Sequence, residues 1–218
     1  VPVFVFGLGT PVHGALVGYK AGATASGRAV RAAALAEVLG EWLERHAACL
    51  LGDAGEAMLV PVPSSAGGRA SWHGRHPLEG LCASAAPRSG RLRPEPVLLP
   101  GPEPPRRLQA SRRGFVVENP GSLSGRTALV VDDMFVSGSR ILSAAAALTD
   151  AGVRVTAAVP IGRLVRPDHN AATYAYWGDR SATPFDPAIC PRCAPGRGRR
   201  RVSAFGTGLA SVSQRLAA

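Results

Sequence analysis

The stretch 127–161 constrains the fold more than any other part of the chain. Residues 127–131 form an almost wholly apolar run, of the kind a strand buried on both faces needs, and the run ends in Asp132 and Asp133. A loop over 134–139 follows. Ile141, Leu142, Ala145 and Leu148 then line one helical face, and Gly152 stands where a helix C-terminus needs a left-handed residue. A second apolar run occupies 153–161. Strand, loop, helix and strand in so short a span make a parallel crossover, which is nearly always right-handed.

The rest of the chain extends this pattern. Leu35, Val38, Leu39, Trp42, Leu43, Ala47 and Leu50 recur at three- and four-residue spacing, which predicts an amphipathic helix over about 28–51. Residues 57–62 predict a strand, and 77–86 a second helix with Pro77 in its first turn. The expected fold is therefore α/β, with a mostly parallel sheet flanked by helices. Between Pro87 and Pro105 there are seven prolines, with arginines close by, and the segment 87–114 is expected to be an exposed, mobile loop around a short strand at 97–99. One domain is expected over 1–167, with a small irregular extension over 168–218. In that extension Tyr174, Tyr176 and Trp177 have the near-alternate spacing of a strand face, and 209–216 resembles a final helix.

Composition narrows the class. Hydrophobic residues make up 46% and charged residues 18%, enough apolar material for a packed core and too much for a disordered or fibrous chain. Twenty-five basic against fifteen acidic residues leave a net charge of +10, and Lys20 is the single lysine. Arginine presents a planar fork that grips phosphate at two points, so the surface attracts nucleic acid, anionic membrane and phosphorylated metabolites alike. Val1–18 carries no formal charge, but Pro2, Gly7, Gly9, Pro11, His13 and Gly14 interrupt it, so neither a membrane span nor a signal peptide is expected and the chain reads as cytoplasmic. Four cysteines in 218 residues do not make a disulfide framework; Cys49 and Cys82 read as buried thiols.

The acidic pair sits where chemistry is expected. Ligands of parallel sheets bind beyond the carboxyl ends of the strands. The loop Val136-Ser137-Gly138-Ser139-Arg140 enters a helix whose first amides have no internal partner, a natural phosphate seat. Gly138 allows close backbone approach, and Ser137 and Ser139 add hydroxyls. Two carboxylates would repel a bare phosphate, but they suit ribose hydroxyls and a hydrated divalent cation. A sugar phosphate with a metal fits better than phosphate alone.

The run 129–139 (Leu-Val-Val-Asp-Asp-Met-Phe-Val-Ser-Gly-Ser) resembles the phosphoribosyl-diphosphate signature of type I phosphoribosyltransferases. Gly18-Tyr19-Lys20, Val60-Pro61-Val62-Pro63 and Arg112-Arg113-Gly114-Phe115 are similar in layout to the ComF-like branch of that family. The resemblance implies transfer of a 5-phosphoribosyl group from phosphoribosyl diphosphate to a small-molecule acceptor, with Mg²⁺ and release of diphosphate. It implies that Asp132 and Asp133 hold the ribose hydroxyls and the metal, and that 136–140 hold the 5′-phosphate. It further implies that the loop with Ser64, Ser65 and Arg69 faces the diphosphate, with Lys20 close to it. The segment before Phe115 would close over the reaction, bringing Arg112 and Arg113 to the leaving group. Val136 and Arg140 replace hydroxyl residues usual in the family, and the ComF-like amino-terminal zinc module is absent from this sequence. A non-catalytic nucleotide-binding regulator, or a protein associated with nucleic acid in DNA uptake, is the alternative, and a homodimer stays open.

Other signals carry less. Gly7-Leu8-Gly9 mimics a dinucleotide loop, but Val12 stands where its third glycine belongs. Cys190-Pro191-Arg192-Cys193 has the spacing of one zinc knuckle, but zinc needs two more ligands, from Cys49, Cys82 or His169, and free thiols are the expectation. Arg197, Arg199, Arg200 and Arg201 read as a solvated run without the interleaved aromatics of an RNA-binding surface. His73 and His76 are expected at the surface.

Overall fold

The computed structural model describes residues 1–63, 76–182 and 185–193. Ser64, Ser65, Arg69, His73, the arginines at 197–201 and the helix expected at 209–216 lie outside the described residues.

Nine residues, Thr127–Phe135, form strand β6 in the middle of a five-stranded sheet. The strand order is β1 (Phe4–Phe6), β7 (Arg154–Leu164), β6, β2 (Ala57–Pro61) and β3 (Leu92–Pro94), and every pairing is parallel. Ala128, Leu129, Val130 and Val131 are fully buried because helices cover both faces. Side chains alternate across the sheet. A short helix, α4 (Pro120–Leu123), leads into β6, and Ala128 and Val130 join Ile141, Ala144 and Leu148 of helix α5 (Ser139–Asp150) in one apolar cluster. Leu129 and Val131 join the other, built with α1 (Pro11–Ala21), α2 (Ala25–Leu51) and α3 (Pro77–Ala85). The 27 residues of α2 give it a length of about 40 Å, from the Thr24 cap to Gly52 at φ 61°. It spans that layer and buries Leu35, Leu39, Trp42 and Leu43.

Topology fixes the site. From β2 the chain crosses through α3 to β3 on one side; from β6 it crosses through α5 to β7 on the other. The direction of winding therefore reverses between β2 and β6, where parallel sheets open a crevice beyond the strand ends.

Several expectations are corrected. Strand β6 does not stop at Val131 but carries both aspartates, since the ladder with β7 continues through Asp132↔Pro160 to Phe135↔Arg163. In the segment 87–114 the strand expected at 97–99 is present as β4 (Leu98–Pro100), which pairs antiparallel with β5 (Phe115–Val117). The segment holds more structure than that one strand: a 3-10 turn at Ala86–Ser89 and the edge strand β3 precede it. Proline is tolerated there because Pro94 and Pro100 close short strands outside the central ladder. Gly101 and Gly114 then tie the loop's ends with a 2.9 Å backbone bond. Tyr174, Tyr176 and Trp177 lie on helix α6 (Ala171–Ser181), not on a strand. A capping box between Asn170 and Thr173 starts that helix, a local signal stronger than three aromatics at uneven spacing.

Gly162 on β7 lies tightly against Phe6 and the α1 residue Leu16: an added Cβ would come within 2.5 Å of Phe6 and 2.6 Å of Leu16. Gly162→Ala is expected to lower unfolding free energy by about 1–3 kcal/mol through overpacking. Gly80→Ala, on α3 with open space around it, is expected to leave stability level or raise it by up to about 1 kcal/mol. Urea denaturation of the two variants measures both.

Candidate functional site: a buried acidic pair at the strand switch

Because β6 alternates, its two aspartates face opposite layers of the protein. Asp133 continues the row of Leu129 and Val131 toward α1, where Lys20 Nζ lies 2.5 Å from its Oδ2 and the Tyr19 hydroxyl donates to the same oxygen at 3.2 Å. Asp132 continues the row of Ala128 and Val130 toward α5, where Arg140 Nε stands 3.6 Å from its Oδ2. The Asp133 backbone N–H donates to Asp132 Oδ1 at 3.0 Å. Arg140 also donates through Nη2 to the Pro63 carbonyl at 2.8 Å, spanning the switch between β6 and the end of β2. Both carboxylates are buried, at 3% and 7% residue exposure. With all four groups ionised, the two aspartates and two cations sum to zero charge.

Burial treats the two acids differently. It pushes Asp132 up to about 7, the neighbouring Asp133 charge adds to the rise, and Arg140 only partly offsets it. Burial also works against the Asp133 charge, but Lys20 and the hydrogen bonds from Lys20 and Asp132 outweigh it and hold this carboxyl below its usual range. Tyr19 is raised, first by burial and then by Asp133, so it stays a phenol and a donor. His76, expected at the surface, is buried instead and caps α3, its Nδ1 accepting from the Leu78 amide at 3.2 Å. Burial, then Lys20, lowers it to about 4, with Arg140 adding to the drop and Asp133 opposing it.

The loop after the acids runs into a helix start that no side chain caps. Gly138 has φ 79° and serves as the N-cap of α5. A Cβ there would lie 2.6 Å from the Phe135 ring, so both conformation and space require glycine. Ser137 and Ser139 hydroxyls sit 3.0 Å apart, and Val136 is exposed. Ser139 is braced from behind: Ser143 donates to its carbonyl at 2.7 Å and accepts from the Ser111 amide at 2.8 Å.

Asp132, Asp133, Lys20, Arg140 and the loop 136–140 are thus brought together, whereas Arg112 and Arg113 are not. Arg112 pairs with Asp150 at 2.6 Å, at the far end of α5 and about 16 Å along the helix from the loop. Arg113 pairs with Glu103 at 2.6 Å, and both arginines are exposed. The cause is local: each finds a carboxylate on its own surface. Tyr19 and His76 complete the site without having been assigned to it from the sequence. The Gly-Tyr-Lys context was the only trace of Tyr19, and nothing near His76 marked it as buried. No protein-family model matches this chain, and no curated protein matches it.

Asp132 binds its proton more tightly folded than unfolded, so its contribution to stability falls as pH rises from about 4 to about 7. Asp132→Asn removes that loss, and thermal melts should show its advantage over wild type widening across this window. Lys20→Met strands Asp133 as a buried, uncompensated charge and is expected to cost about 3–5 kcal/mol. Lys20→Met combined with Asp133→Asn should recover much of that loss in a double-mutant denaturation cycle.

Proposed function

We propose that the protein transfers a 5-phosphoribosyl group from phosphoribosyl diphosphate to a nitrogen or similar nucleophile of a small acceptor. The observation that carries this reading is the buried acidic pair at the carboxyl end of the central parallel strand, followed at once by a left-handed glycine and an uncapped helix N-terminus. Carboxylate oxygens accept from two sugar hydroxyls, while the amides of 136–140 and the dipole of α5 take the phosphate. Arg140 adds a cation where the family pattern has a hydroxyl, which strengthens the hold on phosphate. In the reaction the C1–O bond to diphosphate breaks and its electron pair leaves with diphosphate. The acceptor's lone pair forms the new bond to C1, and the acceptor's proton passes to solvent or to the departing diphosphate.

Mg²⁺ would neutralise charge on the leaving diphosphate. Asp132 and Asp133 are hard oxygen donors of the right kind, but each already faces a cation, Arg140 and Lys20. They fit a magnesium ion held through its waters and the diphosphate's own oxygens, and not a bare ion coordinated directly. The chain's own residues then have defined tasks. Asp132 and Asp133 orient the ribose, Lys20 and Tyr19 fix Asp133, and Gly138 lets the backbone reach the phosphate.

The same ion pairs favour one rival. A site whose acids are already neutralised can bind a nucleotide or phosphoribosyl ligand without turning it over, as a regulator would.

Titration calorimetry separates the readings. Mg²⁺ alone should give no stoichiometric binding. Phosphoribosyl diphosphate with Mg²⁺ should bind about one per chain, and Asp133→Asn or Gly138→Val should weaken it at least tenfold, about 1.4 kcal/mol. Diphosphate release with an acceptor panel then supports the transferase, and tight binding without release supports the regulator. Full binding by both variants would overturn the site.

A further inference from the structure

We infer that His46, Cys49, Cys190 and Cys193 form a closed structural zinc site that fastens the segment 185–193 to the C-terminal end of α2. This inference is independent of the acidic site and of the transfer reaction.

The four residues come from two places. His46 and Cys49 stand three apart on α2, so one turn of helix puts both on the same face. Cys190 and Cys193 form a tight knuckle closed by the Cys193 amide on the Cys190 carbonyl at 3.1 Å. One donor atom from each of the four residues lies within 4.8 Å of every other. The Cys49 and Cys190 sulfurs are 3.9 Å apart, and His46 Nδ1 is 3.4 Å from the Cys193 sulfur. Ligands around tetrahedral zinc, at about 2.3 Å for sulfur and 2.0–2.1 Å for nitrogen, stand roughly 3.5–3.8 Å from one another. Cys49 and Cys193 are closer, at 2.7 Å, yet well beyond a disulfide bond of about 2.05 Å, and all four cysteines of the chain are free thiols. Seating a metal requires this one pair to part by about 1 Å.

The surroundings of the histidine argue for a ligand. His46 Nε2 lies 2.8 Å from the Pro187 carbonyl, so that nitrogen carries the proton and Nδ1 presents its lone pair to the cysteines. A metal-bound imidazole held by a backbone carbonyl through its second nitrogen is the usual outer-shell arrangement of zinc sites. Further anchors hold the knuckle in place. Trp42 Nε1 donates to the Ile189 carbonyl at 3.3 Å, and Arg192 donates to the Thr156 carbonyl at 2.9 Å. Three sulfurs and an imidazole select zinc over magnesium or calcium, which prefer oxygen. Four protein ligands leave no open position, the mark of a structural rather than a catalytic site.

The physical role is a clasp. Residues 185–193 contain no helix or strand, and Phe185 against Phe4 is a modest apolar anchor. Cys190 is nonetheless 1% exposed, within the core that α2 builds. A short segment without a ladder of its own is commonly held by a metal whose binding energy adds to folding. The sequence predicts free thiols here, and all four cysteines are free; the zinc is what the proposal adds. Cys49 does join the knuckle, but the fourth ligand is His46, while Cys82 and His169 are not part of the cluster.

Metal content of untagged protein, purified under reducing conditions, tests the site. The expected result is about one zinc per chain, replaceable by cobalt to give the visible bands of a tetrahedral thiolate complex. Cys193→Ser and Cys49→Ser should lose the metal, His46→Cys should keep it and shift the cobalt bands, and Cys82→Ser should keep it unchanged. Reduced wild-type protein that takes up neither zinc nor cobalt in excess would overturn the proposal, as would a Cys49–Cys193 disulfide that persists in its place.

Discussion

Two adjacent carboxylates at the buried end of a central strand repel each other and lose their hydration, and the architecture around them is arranged to offset both costs. A strand's side chains alternate, so neighbouring acids must look into different layers. The fold answers with one cation per layer: Lys20 from α1 meets Asp133, and Arg140 from α5 meets Asp132. Each cation lies against one acid and also favours the charge of the other. The acidic pair therefore depends on the sheet, on both helical layers and on the crossover that brings α5 back over β6. Arg140 also reaches the Pro63 carbonyl, which ties this charge balance to the end of β2 and to the switch itself.

The balance is uneven in a way that bears on chemistry. Burial and then the Asp133 charge raise Asp132, which the looser Arg140 contact only partly offsets, whereas the close Lys20 contact outweighs burial and holds Asp133 low. Asp133 is a fixed carboxylate with Tyr19 and Lys20 behind it. Asp132 sits near its neutral point, able to accept or donate a hydrogen bond, which suits a hydroxyl partner with both a donor and an acceptor face.

What could be read from the sequence was what depends on short-range pattern. The apolar run into Asp132 and Asp133, the glycine at 138 and the helical face of Ile141 and Leu148 together placed the parallel crossover and the loop on α5. The long periodicity from Leu35 to Leu50 placed α2. What could not be read depends on partners distant in sequence. Tyr19 and Asp133 are 114 residues apart, and His46 and Pro187 are 141 apart. Prolines misled at 87–114 because they are compatible with edge strands as well as with loops. Arg112 and Arg113 were placed at the site by resemblance, whereas Asp150 and Glu103 offered them nearer carboxylates.

The central claim is that the acidic pair faces a ribose and the loop behind it holds that sugar's phosphate. A crystal structure with ribose 5-phosphate bound tests it most directly. Sugar hydroxyls are expected within hydrogen-bond distance of Asp132 and Asp133, and the phosphate on the amides of 136–140. A sugar phosphate bound elsewhere on the protein, with the aspartates still closed upon Lys20 and Arg140, would contradict it.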